Sequence, residues 1–281
     1  VPSLYDAHNH FQFAALAPYR SAIDVDLRRI GLRRAVVNGT GEDEWPEVAA
    51  LARQYDWIIP SYGIHPWDCG NRTPGWLAAL RAAIAADPRA QVGEIGLDRW
   101  IVDGARPDDP RLAGLRVAPM DEQAEVFAAQ LALAAEFNRV ASIHCTQAFG
   151  AMLDVLRTAA RPARGFLLHA YSGPAEMVET FADLGAYFSF NIAARDRRRA
   201  SARESFQAVP ADRLLVETDA PAYAPPAALN RYPLDGSSDA SPINHPANLI
   251  VAYEALAELR GMAPEMLVTQ VEENFRRLFL S

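Results

Sequence analysis

Six histidines, His8, His10, His65, His144, His169 and His245, are the side chains of this sequence best placed to do chemistry. His8 and His10 stand one residue apart in an alternating stretch. Residues at i and i+2 on a strand point to the same face, so both imidazoles can reach one ion. His65, His144 and His169 each close a short β-type run, Glu94 lies near the end of another, and Asp219 follows the last one. Imidazole and carboxylate together suit zinc, manganese or iron, and magnesium less well. Four histidines with two carboxylates are many for one ion and enough for two. A shared carboxylate, for which Glu94 is the candidate, would hold two ions about 3.5–4 Å apart. Water beside such ions becomes acidic enough to attack phosphorus or a carbonyl carbon near neutral pH.

These residues need elements that bring them to one place. The sequence repeats a β-branched run followed by ten to fifteen residues at helical spacing. Strands are predicted at Ser3–Ala7, Arg34–Asn38, Trp57–Gly63, Gln91–Ile95, Val140–Ile143, Gly165–Leu168, Ala186–Phe190 and Arg213–Glu217. Helices are predicted at Glu42–Gln54, Pro74–Ala86, Asp121–Phe137, Ala148–Ala159, Pro174–Leu184 and Asp196–Gln207, with only a short candidate, Val25–Ile30, in the first crossover. Eight such units imply parallel pairing and an α/β fold, a TIM-type (β/α)8 barrel with the site at the C-terminal rim of its strands. An open doubly wound sheet is the rival, but no Gly-rich dinucleotide turn follows the first strand. Val102–Pro119 and Ala220–Asn244 read as rim excursions, and Pro246–Arg260 and Pro264–Leu280 as two closing helices. No composition break divides the chain, which predicts one domain over residues 1–281.

Composition narrows the chemistry further. The chain has 281 residues, 50% of them hydrophobic, and a formal charge of −8. That charge argues against broad nonspecific binding of nucleic acid through a basic surface, though a local basic groove stays open. All 27 basic residues are arginine, which excludes Schiff-base chemistry, a P-loop lysine and a carbamylated lysine bridge. Two cysteines, Cys69 and Cys145, exclude a disulfide scaffold or Cys-rich zinc module. Cys145 beside His144 reads as a small buried filler rather than a nucleophile. No apolar run approaches 18 residues and no signal-type segment opens the sequence, so a cytoplasmic location with no membrane contact is expected. No obligate protein partner is evident.

The motifs Asp6-Ala7-His8-Asn9-His10, Gly63-Ile64-His65-Pro66 and Gly93-Glu94-Ile95-Gly96-Leu97-Asp98 occur in order, followed by a helix with Gln123, Phe127 and Gln130. Then come Ile143-His144-Cys145, His169-Ala170-Tyr171-Ser172-Gly173, Glu217-Thr218-Asp219-Ala220-Pro221 and Asn274-Phe275-Arg276-Arg277-Leu278-Phe279. Together they resemble the TatD family of metal-dependent hydrolases, within the wider amidohydrolase-like barrel group. The resemblance implies a deoxyribonuclease or phosphodiesterase with two divalent ions (Zn, Mg or Mn), acting on a small phosphodiester or a single-stranded DNA end as a 3′-5′ exonuclease. It further implies that His8, His10, Glu94 and Asp219 hold one ion and Glu94, His144 and His169 the other, with His65 lining the pocket near the substrate phosphate. The chain departs from the family pattern at Thr146-Gln147, where an arginine is common, and at Asn244-His245-Pro246, where Asn-Glu-Pro is common. Loss of the arginine removes a bidentate phosphate donor.

Asp219 and Glu94 are the candidate catalytic groups, Asp219 orienting and deprotonating a water or serving only as a ligand. Asp6 is expected to orient a ligand histidine; Glu217 does the same or caps the next segment, and Asp98 is either such a partner or structural. Arg195, first of the run Arg195, Arg197, Arg198, Arg199 and Arg203, matches a basic family position and is a candidate phosphate contact; a solvated helix face is the plain reading of the run. Phe11, Trp67, Trp100, Tyr171 and Tyr223 are rim aromatics able to stack on bases, Tyr171 being the candidate substrate contact. A metal-dependent hydrolase of a cyclic amide, lactone or acyl ester, and a metal-binding scaffold without turnover, are the alternatives.

Overall fold

The computed structural model describes residues 3–106, 108–196, 200–236 and 242–281. Strands β1 (Leu4–Asn9), β2 (Leu32–Asn38), β3 (Ile58–Tyr62), β4 (Gln91–Asp98), β5 (Ala141–Thr146), β6 (Phe166–Leu168), β7 (Ala186–Phe190) and β8 (Leu214–Val216) form one sheet in sequence order. Every ladder between neighbours is parallel. The crossovers carry helices α1 (Arg20–Ile30), α2 (Trp45–Gln54), α3 (Trp76–Ala86), α4 (Met120–Glu136), α5 (Phe149–Thr158), α6 (Val178–Asp183) and α7 (Ala200–Ala208). Two further helices, α8 (Leu249–Arg260) and α9 (Pro264–Phe275), complete the shell. This is the (β/α)8 barrel that the alternation of patterns predicts.

The ends of the sheet meet at the rim. His10 N–H donates to Ala220 O (2.8 Å) and Asp219 N–H to His8 O (3.0 Å). Lower down, β1 uses other partners: Tyr5 N–H donates to the Tyr253 hydroxyl (3.1 Å), which itself donates to Tyr5 O (3.0 Å). The buried tyrosine thus satisfies backbone groups that a longer β8 would have paired.

The first crossover is a full helix where only Val25–Ile30 is expected. Ile23, Leu27 and Ile30 are its buried positions, and the intervening Asp and Arg residues dilute the apolar stripe. It ends on Gly31 at φ 88°, a left-handed C-cap natural to glycine. Three strands run past their predicted ends: β1 to Asn9, β4 to Asp98 and β5 to Thr146. The polar residues there face a shared buried site, so they stay in the ladder despite low strand propensity.

Two glycines shape the rim of β4. A Cβ on Gly93 would lie 2.7 Å from the Ser142 Cβ and 2.8 Å from Asn38 Oδ1, and one on Gly96 (φ 142°) would lie 2.0 Å from His144 O. Only glycine lets β4 approach its neighbours closely enough to bring Glu94 into the barrel.

Candidate metal centre

Glu94 is buried at the centre of the rim. Its Oε1 lies 2.8 Å from His169 Nε2, 3.0 Å from His144 Nδ1 and 3.3 Å from His65 Nε2. Its Oε2 lies 3.1 Å from His10 Nε2 and 3.3 Å from His8 Nε2. Across from it, Asp219 Oδ1 is 3.4 Å from His10 Nε2 and 3.8 Å from His8 Nε2. Donor atoms fall within 4.8 Å of one another in four overlapping sets: His8 with Glu94 and His169; His8 with His10 and Asp219; His65 with Glu94 and His144; His169 with Glu217 and Asp219. Side chains from β1, β4 and β5 thus converge with others placed just beyond β3, β6 and β8.

Four of the five imidazoles have a hydrogen-bond partner on the far side. His10 Nδ1 donates to Asn38 O (2.7 Å), which leaves the Nε2 lone pair aimed inward. His8 Nδ1 is 2.8 Å from the Ser142 hydroxyl, and its ring stacks on His169 at 3.9 Å. His144 Nε2 faces Asp98 Oδ2 (3.2 Å) and Thr146 Oγ1 (3.0 Å), so its Nδ1 is the inward atom. His169 Nδ1, buried and without a hydrogen bond, is 3.6 Å from Glu217 Oε1. Glu217 accepts from the Ser189 hydroxyl and from Asn191 Nδ2, the latter at 3.1 Å.

The donor set fits divalent ions. His8 Nε2 and His10 Nε2 face each other at 3.3 Å beside two carboxylates, and a cation reconciles lone pairs and negative oxygens that otherwise need shared protons. Without one, protons take that part. Burial lowers His10, but hydrogen bonds to Asp219 and Glu94 outweigh it and raise the imidazole to about 10. Burial would raise Glu94, yet the surrounding imidazoles, His169 foremost, hold it well below the usual carboxylate range. His8, buried and beside His169, is lowered to about 4.

The centre opens into a cavity of about 750 Å³. Phe13, which the sequence did not single out, stacks on His10 at 4.7 Å and forms part of its wall. Trp67 and Tyr223 also line it, while Trp100 stacks behind Trp67 at 5.8 Å. Phe11 is fully buried against Tyr55 and Trp57 instead.

Two candidate substrate contacts, Arg195 and Tyr171, lie away from the cavity, contrary to expectation. Arg195 points to the outside of the barrel, paired with Glu258 on α8 (2.9 Å), because the turn Ile192–Arg195 rotates it away. Tyr171 is buried among Phe149, Phe181 and Phe188 and donates to Pro174 O (2.9 Å), because Ala170 at φ 46° turns the chain into the core. Arg197, Arg198 and Arg199 lie outside the described residues. Arg203 donates to Asp196 O on the far side of that turn. Asp6 orients no imidazole ring: it accepts from His8 N–H (3.2 Å), from Asn9 Nδ2 and from the N–H and hydroxyl of Thr218. His245 sits away from the centre, where its Nδ1 accepts from Ala247 N–H.

Two further supports come from α4, where sequence spacing gives no role to the residues. Gln130 on α4 accepts from Ile64 N–H (2.7 Å) and donates to Ile64 O (3.1 Å). Gln123 does the same for Asp98 at 2.8 and 3.2 Å. Each amide replaces a missing strand neighbour and fixes His65 or Asp98 from behind. A fully buried glutamine on an apolar helix face is the sequence signal for such a role.

The model of the family described as TatD related DNase matches residues 5–280. The chain belongs to the TatD family. A 3′-5′ ssDNA/RNA exonuclease TatD from Klebsiella pneumoniae is 31% identical, over 90% of this chain and 88% of its own length. A relative from Bacillus subtilis, YabD, described as an uncharacterized metal-dependent hydrolase, is 28% identical over 98% of both chains. The crystal structure of a TatD homologue from Escherichia coli K12, YJJV, superposes with a TM-score of 0.83 at 24% identity, covering 99% of this chain and 98% of its own. Among the described residues no helix is long and apolar enough to cross a membrane.

Proposed function

We propose that this TatD-family chain is a cytoplasmic, divalent-metal-dependent phosphodiesterase, built as one barrel domain, that removes nucleotides from the 3′ end of single-stranded DNA or RNA. The observation that carries it is the placing of both Glu94 carboxylate oxygens among inward-facing ring nitrogens, with Asp219 opposite. On this reading His8, His10, Glu94 and Asp219 hold one ion, and Glu94, His144 and His169 the other. Bound divalent ions supply Lewis acidity, drawing charge from a phosphoryl oxygen and making a nearby water easier to deprotonate.

The chain's own residues do the rest. Asp219 Oδ1, at the edge of the cavity, accepts the proton of the attacking water. Glu94 stays ionised as the shared carboxylate. His65 accepts at Nδ1 from Trp67 N–H (3.2 Å), so its neutral ring carries the proton on Nε2 and can donate to a phosphate oxygen. Phe13, Trp67 and Tyr223 give apolar faces on which a terminal base can stack.

One observation favours a second reading. Among the described residues lining the cavity there is no arginine, and Thr146 lines it where the family pattern commonly has one. A cyclic amide, lactone or acyl ester needs fewer cationic donors than a phosphodiester. The deciding experiment is turnover of single-stranded DNA, bis-p-nitrophenyl phosphate and a lactone after reconstitution with Zn²⁺, Mn²⁺ or Mg²⁺, beside Asp219→Asn. Metal-dependent release of nucleotides from DNA supports the exonuclease; turnover of the lactone alone replaces it with the second reading. Metal binding with no turnover of any would leave a scaffold.

A further inference from the structure

His65 and His144 flank Glu94 on the same side, and one residue touches the supports of both. The Trp67 amide fixes the Nδ1 of His65, as above. Its indole N–H donates to Asp98 Oδ2 (2.8 Å), the oxygen that faces His144 Nε2 (3.2 Å). Asp98 is buried, and its other oxygen accepts from Ile101 N–H (3.3 Å). The carboxylate is thus pinned from two sides and can turn only if one contact breaks. A proton on His144 Nε2 follows, and with it a free lone pair on Nδ1, 3.0 Å from Glu94 Oε1.

Trp67 is held in turn. Trp100 stacks on it with an interplanar angle of 24°. The Arg111 guanidinium lies 4.5 Å from the centre of the Trp100 ring and 6.0 Å from that of Trp67. Trp100 and Arg111, from the excursion between β4 and α4, therefore back Trp67 through a Trp–Trp–Arg stack.

We propose that Trp67 is a positioning residue for the Glu94–His144 half of the centre, its indole N–H setting the aim of His144 through Asp98 and the Trp100–Arg111 stack holding that aim. The inference rests on the metal-dependent reading above, but a metal titration tests it without any substrate. Inactivity toward DNA would therefore overturn the function and leave this proposal standing.

The test uses the full chain titrated with Zn²⁺ and, separately, Mn²⁺ by calorimetry, native against Trp67→Phe, which keeps the ring and removes the donor. Loss of a partner behind a ligand imidazole weakens a metal site about 10–100-fold. The expected result is a loss of that size for one equivalent, with the other equivalent unchanged and the metal-free chain still folded. On any active substrate kcat of Asp98→Asn at limiting metal should fall while KM holds, because Asp98 does not line the cavity. Asp98→Asn, which preserves volume, should weaken the same equivalent, and serves if Trp67→Phe does not fold. Both equivalents binding as in the native chain in either folded variant, or a native chain that binds only one ion, would overturn the proposal.

Discussion

Thr218 grips both oxygens of the Asp6 carboxylate, donating its backbone N–H to Oδ1 (3.0 Å) and its hydroxyl to Oδ2 (2.6 Å). The same carboxylate accepts from His8 N–H and from Asn9 Nδ2 (3.0 Å). Four donors on a fully buried carboxylate join the first strand to the segment after the eighth, one residue from Asp219. Asp6→Asn turns an NH2 group toward donors and leaves buried polar atoms unpaired. The expected loss is about 3 kcal/mol of unfolding free energy, with metal affinity reduced because His8 and Asp219 lose their common frame. Urea unfolding of the metal-free chain checks the first, and calorimetry the second.

Asp219→Asn keeps the size of the side chain and removes the proton acceptor. A positioned general base contributes typically 10²–10⁴-fold, so kcat should fall by about 10³ while substrate KM changes little. Glu94→Gln should differ in kind: both metal equivalents weaken together because the carboxylate is shared. Steady-state kinetics with metal content measured on the same samples separates the two.

Metal affinity should rise with pH. In the metal-free chain His10 is raised to about 10 by Asp219 and Glu94, so at neutral pH a proton occupies the position an ion would take. Each proton expelled on binding gives about one decade in apparent Kd per pH unit below that value. Calorimetry between pH 6 and 8 in buffers of different ionisation heat would show both the slope and the protons released. A flat profile would mean that no imidazole deprotonates on binding.

His245 predicts an acid weakness away from the centre. Burial lowers it to about 4, against 6.5 for a free imidazole, although Asp26 pulls the other way. Between those values the folded chain holds fewer protons than the unfolded one, so stability falls as pH drops from 6.5 toward 4. Protonation would also break the acceptance from Ala247 N–H (2.9 Å) that starts the segment before α8. His245→Asn can still cap that turn. It should lose on the order of 2 kcal/mol less than the native chain between pH 7 and 4.5, read by chemical unfolding at each pH.

Much of this arrangement is legible in the sequence because strand ends and chemistry coincide. The alternation of β-type and helical runs predicts the barrel, and the histidines stand where its strands terminate. What is not legible follows from local backbone geometry. Arg195 and Tyr171 both stand near strand ends, but a tight turn and a positive φ send them away from the cavity. The full length of α1 is masked because its inward residues, Ile23, Leu27 and Ile30, are separated by charges. Gln123, Gln130 and Trp67 act through hydrogen bonds to residues 25 to 66 positions away, a distance over which no spacing rule operates.

The meeting of the first strand with the stretch beyond the last has a consequence for biosynthesis. His8 and His10 leave the ribosome some two hundred residues before Asp219. A nascent chain halted before that point has ring nitrogens but lacks the carboxylate opposite them and the Thr218 latch. On the ligand sets proposed above, the set that includes Asp219 is completed only once that residue has been made.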